Sequence, residues 1–230
     1  MNGLIHSSLY FGMLVSVGAY MLGVWLKKKT GWAILNPLLV AIIVVIAFLS
    51  VFHIEYKEYN RGAVYLGYFL TPATVCLAIP LYKQLELLRQ HLIAVASAIV
   101  AGVAGSVGSI YVMCRFFQLE HTHYVTLLPK SITTAIGMGV SEEAGGIVTL
   151  TVISIIITGM LGNIIAAWLF KIFKIEEPIA KGLALGTAAH AIGTAKALEL
   201  GEIEGAMSSL SIAVAGLLTV VVVPLMSGLI

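Results

Sequence analysis

The chain contains no aspartate, and only 10% of its 230 residues are charged, against the roughly 25% usual in a soluble domain. A water-soluble globular protein is excluded. Its acidic residues are all glutamate, and Glu142, Glu143, Glu176, Glu177, Glu199, Glu202 and Glu204 fall at segment ends or in loops, which argues against a carboxylate cage for a cation. Cysteine is nearly absent: Cys76 and Cys114 stand in or at the end of apolar runs without CxxC or CxxH spacing, so neither a disulfide framework nor a metal site is indicated. His121-x-His123 has the look of a ligand pair but lacks a third partner. A net charge of +2, with no basic run beyond Lys27 to Lys29, sets nucleic acid aside. GxSxG, HExxH, Walker A and GxGxxG are all missing, so no enzyme template fits and no cofactor is expected.

What the chain does have is apolar length. Hydrophobic residues make up 60% of it, in several runs near 20 residues, each able to cross a bilayer core of about 30 Å. The strict alternation of a membrane β-barrel does not occur. These features predict an all-α polytopic membrane protein of about five to eight transmembrane segments, as one integral membrane domain over residues 1–230. The first apolar run has no basic residue before it, the wrong polarity for a cleaved signal peptide, and is expected to stay as a helix.

Ser7 to Leu26, Ala33 to Phe52, His91 to Phe117, Ile147 to Phe170 and Ala206 to Gly228 read as ordinary spans. Three other segments are apolar but interrupted. Gly62 to Tyr82 carries Thr71-Pro72 and Pro80, Val125 to Val140 carries Pro129 and Lys130, and Gly182 to Glu199 reads GLALGTAAHAIGTAKALE. Irregular backbone at membrane depth survives only where protein or a water-filled cavity covers it, so these are candidate broken or re-entrant helices, with Pro72, Pro129 and Gly186 or Gly193 marking the breaks.

A shift of 57 residues aligns Pro72 with Pro129, Thr74 with Ser131, Gly102 with Gly159 and Gly105 with Gly162. The same shift places Ser154, Gly159 and Leu161 on Ser211, Gly216 and Leu218, and Ala135-Ile136-Gly137 finds Ala191-Ile192-Gly193 at a shift of 56. The recurring unit is a polar, broken segment followed by one full span, the pattern that points to a secondary transporter's midplane site. Lys27 to Lys29 and Lys171, Lys174 and Lys181 are the densest basic loops, so both are expected in the cytoplasm. One arrangement consistent with this makes Gly62 to Tyr82 a hairpin entering from outside, Val125 to Val140 a spanning broken segment, and Gly182 to Glu199 a hairpin entering from inside. It gives inverted halves, 1–118 and 119–230; a reading of all eight segments as spans stays open.

Lys130 is followed at once by Ser131, Thr133 and Thr134. A helix starting at Pro129 would aim free N–H groups at the same place, and together they make an anion site; the alternative is a lysine snorkelling to the interface. Thr187, His190 and Thr194, spaced three and four apart, predict one polar helical face, on which His190 either carries a coupled proton or is a structural histidine. Asn36, before Pro37, and Thr74 add uncharged polar groups.

The strings Asn36-Pro37-Leu38-Leu39-Val40, Thr71-Pro72-Ala73-Thr74-Val75, Leu128-Pro129-Lys130-Ser131-Ile132-Thr133-Thr134, Gly186-Thr187-Ala188-Ala189-His190-Ala191-Ile192-Gly193-Thr194-Ala195 and Glu204-Gly205-Ala206-Met207-Ser208-Ser209-Leu210 resemble the LrgB/CidB family, from about residue 30 onward. Thr71 before Pro72 and Ala135 after Thr134 depart from the family's usual residues. The resemblance implies an antiholin-like integral membrane protein tied to murein hydrolase control, and kinship with the plastid glycolate/glycerate translocator. It also implies a separately encoded LrgA/CidA-type membrane partner. Two functions follow as expectations: secondary transport of small monocarboxylates such as glycolate, glycerate, lactate or pyruvate, with substrate held by Lys130, Ser131, Thr133, Thr134, Thr187, His190, Thr194, Asn36 and Thr74; or a holin/antiholin-like regulator of lysis. The location expected is the bacterial inner membrane, among lipid, as a homo-oligomer, with a dimer favoured.

Overall fold

The computed structural model describes residues 10–32, 35–69, 72, 75, 76 and 78–230. Every regular element among the described residues is a helix, and the chain divides into two compact units, Met1–Cys76 and Leu77–Ile230. This is an all-helical polytopic membrane protein. The division is one of compactness and leaves the inverted halves 1–118 and 119–230 a proposal.

In the first unit, α1 (Phe11–Thr30) ends in Lys27, Lys28 and Lys29, where cations suit the negative helix end, and stops at Gly31, whose φ of 70° is the left-handed conformation glycine takes without cost. Asn36 caps α2 (Pro37–Val51), its side chain accepting from the Leu38 N–H at 2.9 Å. The third helix, α3 (Tyr56–Gly67), returns against α1, where the Tyr59 hydroxyl lies 2.6 Å from Ser16 Oγ. Thr74 lies outside the described residues, as does most of the chain around the break expected at Pro72.

The second unit begins with the short helices α4 (Ala78–Lys83) and α5 (Leu85–Gln90), followed by α6 (Leu92–Phe116), α7 (His121–Leu127), α8 (Thr134–Glu143), α9 (Val148–Ile172), α10 (Pro178–Leu200) and α11 (Glu202–Ser227). Among the described residues α6, α9 and α11 are long and apolar enough to cross a membrane. Val95, Ile99, Val103, Val107 and Ile110 form a buried stripe along α6, joining Leu183, Met207, Ala215 and Val223 in one core.

Between these spans the chain twice turns back on itself. In a straight helix Leu185 and Gly193 would be separated by about 12 Å along the axis. Instead α10 is interrupted at His190 (φ 42°, ψ −135°), and the Gly193 backbone lies against the Leu185 carbonyl. Lys181 and Leu200, near its two ends, line the same cavity. It is therefore a re-entrant hairpin with arms 178–189 and 191–200. Gly182 and Gly186 allow its first arm to close on Glu204, Met207, Ser208 and Ser211 of α11. The break falls at His190, not at Gly186 or Gly193; the glycines serve close packing.

Residues 121–143 form the second hairpin, which corrects the expected spanning segment. Thr151 Oγ1, at the start of α9, donates to the Thr126 carbonyl at 2.9 Å and lies 2.6 Å from Ser141 Oγ, so α7 and α8 come together at one level. Deeper in, Gly137 stands by the Pro129 carbonyl and the Ile155 side chain. The hairpins enter from opposite ends. The base of 121–143 sits at the start of α9 and the end of α11, where Tyr124 donates to the Met226 carbonyl at 3.1 Å. That of 178–200 sits at the end of α9 and the start of α11.

Candidate functional site

The two tips meet at Ile155, in the first third of α9. Its side chain touches Gly137 of one hairpin, and its carbonyl accepts from His190 Nε2 of the other at 2.9 Å. A carbonyl has no proton to give, so Nε2 carries the hydrogen and Nδ1 is the nitrogen left to accept one. Asn163 Nδ2, two turns on, donates to the Ile192 carbonyl at 3.0 Å, giving the break a second tether. The second arms, α8 and 191–200, both begin at the tips, so two positive helix ends lie deep in the protein.

Lys130 is half-buried at the first tip and donates to Ser131 Oγ at 3.1 Å; Ser106 of α6 donates to the same oxygen at 2.9 Å. The helix begins at Thr134, with Thr133 at its N-cap, and not at Pro129. Pro129 and Lys130 instead belong to the turn that ends α7, since the Lys130 N–H bonds to the Leu127 carbonyl. The lysine thus lies four residues before the helix start and is carried to the tip by the turn.

Thr187, His190 and Thr194 do not form one face, because the break at His190 sends them to three neighbours. Thr187 packs on Gly102 of α6, His190 on α9, and Thr194 pairs with Ser208 Oγ of α11 at 2.7 Å. All three are buried. Ser106, Ser131, Thr187 and Thr219 line a cavity of about 10 Å³ with Val103, Val107, Leu128, Ile132 and Ala215. That is room for one water and not for a carboxylate. Asn36 lies in the first unit as a helix cap, and is not among the residues gathered here.

Ser106, Ser208, Thr219 and Asn163 were not singled out from the sequence. The repeat held a signal for two of them: Ser106 and Asn163 each follow a repeat glycine, Gly102 and Gly159, by four residues, and each bonds to a hairpin tip. Among the described residues no group of three or more His, Cys, Asp or Glu side chains could hold a metal ion.

The LrgB-like family model matches residues 16–229. Three relatives named "Antiholin-like protein LrgB" align over 94% of this chain and 94% of their own length: that of Bacillus mycoides (strain KBAB4) is 42% identical, that of Bacillus cereus (strain B4264) 41% and that of Bacillus subtilis (strain 168) 40%. No solved structure matches the chain.

Proposed function

This chain belongs to the LrgB-like family, and from that premise and the paired hairpins we propose that it is a secondary transporter of small monocarboxylates, of the glycolate, glycerate, lactate or pyruvate class. The observation that carries the reading is the meeting of two oppositely inserted hairpin tips at Ile155, with the Lys130 ammonium at one tip. Inverted re-entrant elements around a polar centre suit alternating access, each hairpin gating its own side. The substrate carboxylate takes the Lys130 ammonium and the N–H groups at the start of α8; Ser131, Thr133, Thr134, Thr187 and Thr194 supply hydroxyls around it. His190 Nδ1 is the coupling-proton candidate. The cavity that Ser131 and Thr187 line has room for only one water, so in this reading a hairpin withdraws before a carboxylate can enter there. The setting is the bacterial inner membrane, as a homo-oligomer, with an LrgA/CidA-type membrane protein as partner.

The relatives' name favours a second reading, an antiholin-like membrane protein regulating murein hydrolase export and lysis, and on names alone that reading stands ahead. It needs an oligomer or a partner complex and no carboxylate site. Counterflow in proteoliposomes separates the two. Transport requires saturable exchange of labelled glycolate, lactate or pyruvate that Lys130→Ala removes. Absence of exchange for all three, with intact vesicles, would leave the antiholin-like reading in possession.

A further inference from the structure

At the base of the 178–200 hairpin a cavity of about 340 Å³ is lined by Lys171, Lys174, Lys181 and Glu176, with Phe170 and Leu200 among its apolar walls. The three lysines come from the end of α9, the following loop and the first turn of α10. No side-chain hydrogen bond or ion pair joins any of them to another described residue, and the single carboxylate leaves a positive excess of two. Lys171, Lys174 and Glu176 are exposed and Lys181 is partly buried, so the excess charge draws anions to the concavity.

The cavity's place narrows what the anion is. It opens where the membrane helix α9 ends, a place expected at the level of lipid headgroups, and its walls pass from ammonium groups to aromatic and aliphatic side chains. A soluble anion uses only the lysines. A phospholipid uses both parts, its phosphate among the amines and its glycerol and upper acyl chain along Phe170 and Leu200. We propose that this cavity is a binding site for an anionic phospholipid headgroup. The site requires only a membrane protein, and so stands whether or not transport does. A lipid held there bridges the end of α9 and the base of the α10 hairpin, where it would steady that hairpin.

The test uses the whole protein in phosphatidylcholine nanodiscs containing a minor share of phosphatidylglycerol, and counts by native mass spectrometry the lipids retained after release into detergent. Wild-type protein keeps phosphatidylglycerol over phosphatidylcholine; each Lys→Gln change at 171, 174 or 181 lowers that preference by about fivefold, and the triple change abolishes it. Replacing the three with arginine, which keeps the charge, preserves the preference and checks folding. Equal retention of the two lipids by wild type overturns the site. So does an equal loss on changing Lys27, Lys28 and Lys29 to glutamine, which would mean diffuse attraction. Displacement of the lipid by millimolar inorganic phosphate would make this a soluble-anion site and overturn the lipid assignment.

Discussion

His190 Nε2 donates to the carbonyl of Ile155 at 2.9 Å, joining the tip of one re-entrant hairpin to a membrane span from 35 positions away in sequence. The contact is possible because Gly159, one turn further along α9, has no side chain: a methyl there would fall 2.7 Å from His190 Cε1. Its repeat mates play the same part, Gly102 making room for Thr187 and Gly216 for Ile136, so each of the three faces a hairpin.

Gly159→Ala should therefore behave as a defect in the site. Alanine normally favours a helix interior over glycine by about 1 kcal/mol, but here the methyl meets a buried ring, and overpacking of this kind costs about 1–3 kcal/mol. Gly105→Ala is the control, because nothing lies within 4 Å of its added carbon. Thermal unfolding in detergent should show Gly105→Ala neutral or stabilised and Gly159→Ala destabilised, with exchange lost in the second alone. Equal behaviour of the two would mean that His190 does not pack on α9.

The backbone at His190 separates strain from chemistry. A non-glycine residue at φ 42°, ψ −135° costs about 1–3 kcal/mol, which glycine largely relieves. His190→Gly and His190→Ala both remove the imidazole, yet the glycine variant should be the more stable by about 1 kcal/mol. His190→Gln keeps a donor for the Ile155 carbonyl but cannot titrate. If the ring carries the coupled proton, that variant should fold normally and lose the pH dependence of exchange. An unchanged pH profile of exchange in His190→Gln would reduce the histidine to a structural tether.

The class of the fold was legible in composition and in runs of apolar residues, since a segment such as 148–172 has one stable use. The repeat was legible too: the 57-residue shift carries 121–143 onto 178–200, the two hairpins. What the sequence hid was direction. Gly137 and Gly193 look alike whether a broken segment continues or turns back; only their approach to Pro129 and Leu185 decides it. Helical spacing likewise put Thr187, His190 and Thr194 on one face because it assumes unbroken rotation, which the backbone at His190 ends.

Re-entry is open to a direct check. In a chain cleared of Cys76 and Cys114, single cysteines at His121 and Gly145 should be labelled from one side of the membrane, and those at Lys174 and Glu202 from the other. By the positive-inside rule the second pair should be the one labelled from the cytoplasm. Opposite labelling of 174 and 202 would make α10 a span and break the hairpin assignment.

Lys130 gives the proposed carboxylate site its most direct test. Its ammonium is half-buried, shares the Ser131 hydroxyl with Ser106, and sits at the tip from which α8 begins. If Lys130 holds the substrate carboxylate as proposed, removing it leaves that carboxylate without a counter-charge in a site of low dielectric, and loss of such a charge-assisted contact costs about 2–5 kcal/mol, or roughly 30-fold to several thousand-fold in affinity. Lys130→Ala should accordingly abolish monocarboxylate exchange while inserting and eluting like wild type. Lys130→Arg should retain part of the activity: the charge survives, but a planar fork replaces a compact ammonium beside a single hydroxyl. Ser106→Ala should cost less than either, since the Lys130 bond to Ser131 remains. Counterflow of labelled glycolate, lactate and pyruvate by the three variants ranks them; wild-type rates for Lys130→Ala would remove the anion from this tip and leave the lysine a snorkelling residue.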